Sequence, residues 1–129
     1  MTVVFTYDYD TTYQPPMPMV EMKVGQALQE TTLELAALVD SGADATIVPL
    51  RYLRQLQARR SRKAWMRGTT GERVLIDLYN VAIRIGPYQQ SLLEVVGVAG
   101  ENEVIVGRDI LNHLNVTLNG PAYVTEVSS

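Results

Sequence analysis

The sequence predicts an all-β domain with one moderate helix and one short helix. Three observations support this fold class. Short segments rich in Val, Ile and Leu recur along the chain, and Gly, Pro, Asn and Asp separate them, which is typical of strands joined by turns. Apolar residues at helical spacing occur in two places. The composition, 47% hydrophobic and 19% charged over 129 residues, is that of one domain with one core.

The N-terminal part is predicted to contain an arm followed by two strands. Residues 1–16 include β-branched and aromatic side chains, but the prolines at the end of this segment interrupt sheet pairing, so we interpret it as an arm outside the core. Apolar and polar residues alternate over 20–25, which predicts a strand with one buried face. Residues 33–39 become apolar on both faces, which predicts a second strand that enters the core and stops at Asp40.

A helix and a hairpin are predicted next. Pro49 suits the first turn of a helix, and the leucines that follow it recur at helical spacing, so the longest helix is predicted over 49–60. A strand through Trp65, a turn at 68–71 and a return strand at 74–79 form a candidate hairpin.

The C-terminal part is predicted to hold short strands and the short helix. One strand spans 91–98 and a short buried strand spans 103–106, while residues 108–114 place apolar side chains on one helical face. Strands at 116–118 and 123–127, on either side of an Asn-Gly turn, complete a terminal hairpin.

The residues that the chain lacks narrow its chemistry. There is no cysteine and one histidine, His113, which excludes disulfides, thiolate nucleophiles and Cys-ligated zinc. No metal site and no cofactor are predicted, and His113, four residues after Asp109, is interpreted as a structural or surface residue. Fourteen Asp and Glu remain, so an enzyme hypothesis begins with carboxylate chemistry.

The overall charge argues against two kinds of partner. A net charge of −3 and a pI near 5.1 give no general attraction to nucleic acid or anionic lipid. No signal peptide is visible, and the longest apolar run, residues 35–39, is far too short to cross a membrane. We therefore expect a soluble, cytoplasmic protein with no nucleic acid or membrane partner.

Basic residues are concentrated in one segment. Eight of the 11 lie between Arg51 and Arg73. Such a run beside Trp65 could bind a nucleic-acid backbone, but the acidic balance of the remaining chain favours a solvated surface. A preference for acidic substrates or partners is a further alternative.

The segment 40–44 (DSGAD) has the residue types of a reactive loop. Asp40 directly follows an apolar strand, where the core is expected to meet a cleft, and a buried carboxylate is costly unless it is hydrogen-bonded or protonated. Ser41 supplies a short hydroxyl, and Gly42 lets another backbone or a ligand approach closely. Taken alone, the tripeptide Asp-Ser-Gly also fits an ordinary turn after a strand.

A second short apolar segment lies about 65 residues later and is also followed by a glycine-containing turn. It belongs to residues 105–111 (IVGRDIL), in which Gly107 follows the apolar pair. Together with 40–44, it resembles the two motifs of the retropepsins, the retroviral-type aspartic proteases, and of their cellular retroviral-like relatives. Residues 115–119 resemble the strand that follows in that family. The resemblance covers residues 17–119, and the two motifs are specific as a pair although each alone is weak.

The resemblance implies a retropepsin-like closed β-barrel or sandwich subunit, and a homodimeric aspartic endopeptidase that acts on peptide or protein substrates. Each subunit supplies one catalytic aspartate, here Asp40, and the two carboxylates share one proton and activate a water. By the same resemblance, Ser41 hydrogen-bonds across the dimer, Gly42 places its carbonyl against the substrate backbone, and Ala43 belongs to the same active-site loop.

Two further features are implied by the resemblance. Asp44 pairs with Arg108, whose guanidinium geometry suits a carboxylate. The hairpin from Trp65 to Val74 occupies the position of the family's flap, which closes over substrate. The tip of this hairpin consists of Gly68, Thr69, Thr70 and Gly71. Taken alone, the segment also fits a plain surface hairpin.

The predicted organisation is an N-terminal arm at 1–16, a retropepsin-like domain at 17–120 and a C-terminal strand or tail at 121–129. The arm and the tail depart from the viral members, so the dimer contact need not follow the viral arrangement. Two alternatives to an endopeptidase stay open. One is a non-catalytic dimerisation or protein-binding module with the same fold, and the other is a carboxylate-based glycosidase.

Overall fold

The structure, a computed structural model, describes residues 2–129 as ten strands in two sheets, with two helices. In chain order the strands are β1 (Phe5–Asp8), β2 (Met19–Gln26), β3 (Leu33–Val39), β4 (Ile47–Pro49), β5 (Arg59–Arg67), β6 (Arg73–Ile85), β7 (Tyr88–Val98), β8 (Val104–Val106), β9 (Asn115–Asn119) and β10 (Val124–Ser128). The helices are α1 (Leu50–Gln55) and α2 (Arg108–Leu111).

Six of the strands close into a barrel. Their order is β2-β3-β8-β4-β7-β6, and the second part of β6 pairs with β2 to complete the ring. The first part of β6 pairs with β5, which extends from the barrel as a hairpin arm. Closure removes the free edges that an open sheet presents. The all-β class and the closed barrel are therefore confirmed.

Alternating side chains build the core of this barrel. On β2, Val20, Met22 and Val24 are 3%, 0% and 0% exposed, and the polar residues between them are not buried, so the predicted buried face is confirmed. Leu53 of α1 and Ile110 of α2 are fully buried in the same cluster. Each helix therefore buries one apolar side chain fully, and Leu50, Tyr52 and Leu111 pack against the same cluster while partly buried.

The helices are shorter than the sequence predicts. The pattern predicts a moderate helix over 49–60, but α1 ends at Gln55. Gln57 adopts a positive φ of 55°, which is incompatible with continuing the helix, and Arg59 already pairs with Asn80 in the sheet. The prediction of a moderate helix is therefore wrong, and both helices are short. Among residues 2–129, no helix has the length and apolar character needed to cross a membrane.

The two ends of the described chain form a second, three-stranded sheet in the order β1-β10-β9. Phe5 pairs with Val127, which is fully buried, and Tyr7 packs against the barrel core, where burial raises the pKa of its hydroxyl. The prolines interrupt the chain only after β1, so the expectation that they exclude sheet pairing does not hold for residues 5–8. The backbones of Asp10 and Met17 form an isolated antiparallel β-bridge, which closes the turn between these two residues.

The two predicted hairpins are present. β5 and β6 pair in antiparallel register up to Arg67 and Arg73, which flank the turn at the tip. β9 and β10 pair around the predicted Asn-Gly turn. The hairpin β5–β6, defined as residues 59–80, is the longer of the two, and it bears on the candidate site.

Candidate active site

Two parallel strands place the two sequence motifs side by side. β3 pairs with β8, with Val39 opposite Val106, and the backbone N–H of Asp40 donates to the carbonyl of Val106 at 3.1 Å. Both strands end at this point. Asp40 and Gly107 therefore leave the sheet next to each other, although they come from distant parts of the sequence.

The loop after β3 is closed by hydrogen bonds to Asp40 itself. The backbone N–H of Gly42 donates to Oδ1 of Asp40 at 2.9 Å, and that of Ala43 donates to the carbonyl of Asp40 at 3.2 Å. A Cβ on Gly42 would lie 3.1 Å from the same carboxylate oxygen. Asp40, Ser41 and Gly42 are exposed in the single chain. The aspartate carboxylate is thus held in one orientation while it faces solvent.

Arg108 connects the second motif to this loop. Its Nη1 donates to the carbonyl of Ser41 at 2.6 Å, its Nη2 donates to Asp44, and its backbone N–H donates to the carbonyl of Ala43 at 2.8 Å. The side chain of Asp44 is 86% exposed and that of Arg108 is 43% exposed. The ion pair is therefore not buried within one chain, and its main effect here is to orient the loop.

Gly107 permits the close contact between the two loops. A Cβ at this position would lie 2.7 Å from the backbone C and O of Ala45 and 2.9 Å from the carbonyl of Ala43. These neighbours are backbone atoms, which cannot rotate away as a side-chain end can. The requirement for glycine in the second motif is therefore steric.

A buried threonine, which the sequence reasoning missed, locks the same region. Thr46 is 0% exposed. Its hydroxyl donates to Oδ1 of Asp109 at 2.7 Å and accepts from the N–H of Gly107 at 3.2 Å, and its own N–H donates to Oδ2 of Asp109 at 3.0 Å. Asp109 therefore accepts hydrogen bonds from Thr46. The sequence feature that could have identified Thr46 is a polar residue at the start of an apolar strand.

His113 makes a different contact. Its ring stacks on that of Tyr88, with the ring centroids 5.0 Å apart.

The predicted flap tip forms a turn at the end of hairpin β5–β6. The N–H of Gly68 donates to the carbonyl of Glu72 at 2.8 Å, and the N–H of Gly71 donates to Gly68 at 3.0 Å. Gly71 has a φ of 90°, which favours glycine. Thr69 and Thr70 form the turn between them. These backbone hydrogen bonds stay within the hairpin, so they do not tie the tip to the Asp40 loop.

The base of the hairpin does approach the candidate site. Ala45 and Asp109 line a groove of about 730 Å³ together with Leu78 and Glu94. At its rim the guanidinium of Arg62 donates to both carboxylate oxygens of Glu94, at 3.0 and 3.1 Å, and Ser61 donates at 2.6 Å. The hydrogen bonds from Arg62 and Ser61 lower the pKa of Glu94. This cluster holds the base of the hairpin against β7.

The N-terminal segment reaches the loop before β8, which the sequence did not reveal. The hydroxyl of Tyr13 donates to the carboxylate of Glu103, and this hydrogen bond raises the pKa of Tyr13. On the other side of the loop, Arg51 donates to Asn102 at 2.7 Å. Both contacts hold the loop that leads into β8, and they therefore help to position Gly107 at the end of that strand. Among residues 2–129, no three His, Cys, Asp or Glu side chains gather as metal ligands.

The comparisons with known proteins agree with this architecture. The model of the family described as retroviral aspartyl protease matches residues 14–119, which include both motif loops and the hairpin. No curated protein matches the chain.

Two solved structures share the fold. A retropepsin-like aspartic protease from Rickettsia conorii superposes with a TM-score of 0.65 at 10% identity, over 99% of this chain and 94% of that chain. The EIAV protease, in complex with the inhibitor HBY-793, superposes with a TM-score of 0.52 at 23% identity, over 75% of this chain and 86% of that chain. The resemblance inferred from the two motifs is therefore confirmed, and the chain belongs to the retroviral aspartyl protease family.

Proposed function

We propose that two copies of this chain form an aspartic endopeptidase whose active site holds Asp40 from each subunit. The placement of Asp40 is the observation that carries the proposal. Asp40 directly follows the core strand β3 and lies in a loop that Arg108 of the second motif stabilises. The residue is nevertheless exposed in the single chain. Such a loop supplies half of a carboxylate pair, and a second copy supplies the other half.

The electrostatics of that pair define the chemistry. At about 3 Å and an effective dielectric constant of about 20, two ionised carboxylates repel by about 5 kcal/mol, so the pair holds one proton. The ionised carboxylate takes a proton from a bound water, whose oxygen attacks the peptide carbonyl carbon. The protonated partner hydrogen-bonds to the developing oxyanion, and a proton passes to the nitrogen as the C–N bond breaks.

The surrounding loop and the hairpin have supporting roles in this proposal. Ser41 hydrogen-bonds across the dimer, and the carbonyl of Gly42 meets the substrate backbone. The exposed Asp44 and Arg108 orient the loop at the subunit contact, where their exposure in the single chain leaves them accessible to a partner. The tip at 68–71 serves as the flap that excludes water from the bound peptide.

Replacing Asp40 tests the catalytic role. Asp40→Asn should abolish cleavage of a peptide library and leave the chain folded and dimeric. Glu30→Gln, the same carboxylate-to-amide change in an exposed loop, should leave cleavage unchanged. Cleavage that survives Asp40→Asn and resists statine-type inhibitors would overturn the mechanism. A wild-type dimer that cleaves nothing would instead support a non-catalytic binding module.

Mixing the two forms tests the shared site. With equal amounts of wild-type and Asp40→Asn chains that exchange freely, about a quarter of the dimers carry two intact aspartates. Cleavage should therefore fall to about a quarter of the wild-type rate at the same total concentration. If the rate fell only to about one half, the share of wild-type chains in the mixture, one intact chain would be sufficient for cleavage. A cleavage rate per chain that stays constant at high dilution would lead to the same conclusion.

A further inference from the structure

One face of hairpin β5–β6 combines exposed apolar and cationic side chains. Trp65 lies directly opposite Leu75 in the hairpin register, so both side chains point to the same face, and they are 59% and 48% exposed. Ala64 and Ile76, which point to the opposite face, are half-buried. Adjoining exposed apolar side chains with a polar rim are a feature of interaction surfaces.

Cations lie beside this apolar pair. Arg67 and Arg73 form the next register pair on the same face, and the guanidinium of Arg73 lies 4.8 Å from the centroid of the Trp65 ring. Towards the base, Lys63 is paired with Asp77 at 3.0 Å. Within residues 2–129, neither Arg67 nor Arg73 has a carboxylate at ion-pair distance. On this face, the arginines without an ion-pair partner therefore lie between the apolar pair and the turn at the tip of the hairpin.

The charge of the whole chain reinforces this asymmetry. Hairpin β5–β6, residues 59–80, carries six basic and two acidic side chains, a net charge of +4, whereas the whole chain carries −3. The remaining residues therefore carry −7. A hairpin with this charge attracts an anionic partner over roughly a Debye length, about 8 to 10 Å at ordinary salt.

The number and type of the free groups distinguish between two anionic partners. Nucleic-acid affinity comes from neutralising many phosphates, about 6 to 10 in a tight complex, and this face offers two unpaired arginines. A guanidinium matches a single carboxylate with two parallel hydrogen bonds. The adjacent Leu75 has no polar group to bind a base edge, but it can pack against an aliphatic side chain. A polypeptide therefore fits this surface better than a nucleic acid.

We propose that the face formed by Trp65, Leu75, Arg67 and Arg73 binds a polypeptide segment in which an apolar side chain is flanked by Asp or Glu. The apolar side chain covers Trp65 and Leu75, and the carboxylates pair with the two arginines. This binding does not depend on catalysis at Asp40. Its consequence for cleavage, a lower KM for substrates that carry such a segment, rests on the proposed function.

Binding of a labelled peptide tests the surface. The probe is a leucine-centred peptide with glutamates on both sides, measured by fluorescence anisotropy against the full chain carrying Asp40→Asn, so that bound peptide is not cut. We expect saturable binding that Arg67→Glu and Trp65→Ala each weaken about three- to ten-fold. Arg84→Glu, an equal charge change at an exposed position near the other end of β6, should change the affinity less than about two-fold.

Several results would overturn the proposal. One is equal affinity for the peptide with glutamine in place of glutamate, and another is an equal loss in Arg84→Glu. Tighter binding of an oligothymidine, lost in Arg67→Glu, would assign the surface to nucleic acid, and self-association lost in that variant without peptide binding would assign it to a second copy. Peptide binding in a chain whose wild-type form cleaves nothing would remove the proposed function but keep the binding surface.

Discussion

Arg108 and Asp44 form an ion pair between two segments that lie 64 positions apart in the sequence, and the same guanidinium donates to the carbonyl of Ser41. The contact makes the loop after β3 and the start of α2 one unit. The orientation of the Asp40 carboxylate therefore depends on a residue that does not touch it.

Replacing Arg108 by lysine should separate charge from geometry. Lysine keeps the positive charge but lacks the planar fork that reaches both Ser41 and Asp44. We expect the free energy of unfolding in urea to fall by about 1 kcal/mol, the contribution of one hydrogen bond. Arg84→Lys, at an exposed arginine, is the matched control. Equal stabilities of the two variants would contradict the role given to the fork.

Replacing Thr46 by valine should destabilise the chain more strongly. The substitution keeps the side-chain shape but leaves the buried Gly107 N–H and one oxygen of Asp109 without their partner. We expect a loss of about 3 kcal/mol in the free energy of unfolding, because one of these partners is charged.

Thr46→Ser is the control for this loss. It keeps the hydroxyl and removes only a methyl group, so it should cost about 1 kcal/mol. A serine variant as unstable as the valine variant would indicate that packing, and not the hydrogen bonds, makes Thr46 important.

Replacing Gly107 by alanine should push the two loops apart. Its φ of −96° is open to any residue, so the effect comes from the clash with the backbone of Ala43 and Ala45. We expect a loss of about 2 to 3 kcal/mol in thermal or urea unfolding. Gly120→Ala, where a Cβ meets nothing within 4 Å, should stay within about 0.5 kcal/mol of the wild type. Similar losses at the two positions would refute the steric explanation.

The contribution of Glu94 to stability should depend on pH. Hydrogen bonds from Arg62 and Ser61 lower the pKa of Glu94 in the folded state below its ordinary value of 4.5. The ion pair therefore stabilises the fold fully above that value, and the effect disappears as the pH falls through the lowered pKa. Because the side chains of Arg62 and Glu94 are 62% and 35% exposed, solvent screens the pair, and the effect should be below about 1 kcal/mol.

Unfolding free energies of the wild type and Glu94→Gln, measured across pH, test this dependence. The difference should be largest near neutral pH and vanish under strongly acidic conditions. Glu30→Gln removes a carboxylate in an exposed loop and should show no comparable trend. A stability difference for Glu94→Gln that grows on acidification would have the wrong sign.

The local pattern of apolar and polar residues was sufficient to predict a strand wherever one face of that strand packs on the core. The alternation on β2 and the turn residues around hairpin β5–β6 are visible in the sequence, and both elements are present. Each depends on neighbours that are close in the chain or on a simple inside-outside division. The two motif loops were likewise recognisable because their residue types are unusual together.

Long-range partners decided the elements that sequence reasoning missed. The spacing of Leu50, Leu53 and Leu56 predicted a helix that continues to residue 60, but Arg59 pairs with Asn80 and joins β5 instead. Strand β1 depends on β10 at the opposite end of the described chain. Thr46 gains its role only when the second motif places Asp109 beside it. None of these partners can be identified from the residues adjacent in sequence.

The small sheet also constrains when the molecule can complete its fold. Among the described residues, β1 has a single neighbour in its sheet, β10, which ends at Ser128. On the ribosome, β1 emerges before the other described strands, and its partner β10 emerges after them. Residues 5–8 must therefore wait, without their sheet partner, until β10 has been synthesised. A chain that stalls before β10 leaves the β1 edge open to pairing with another molecule, so premature termination exposes this protein to aggregation at its N-terminal strand.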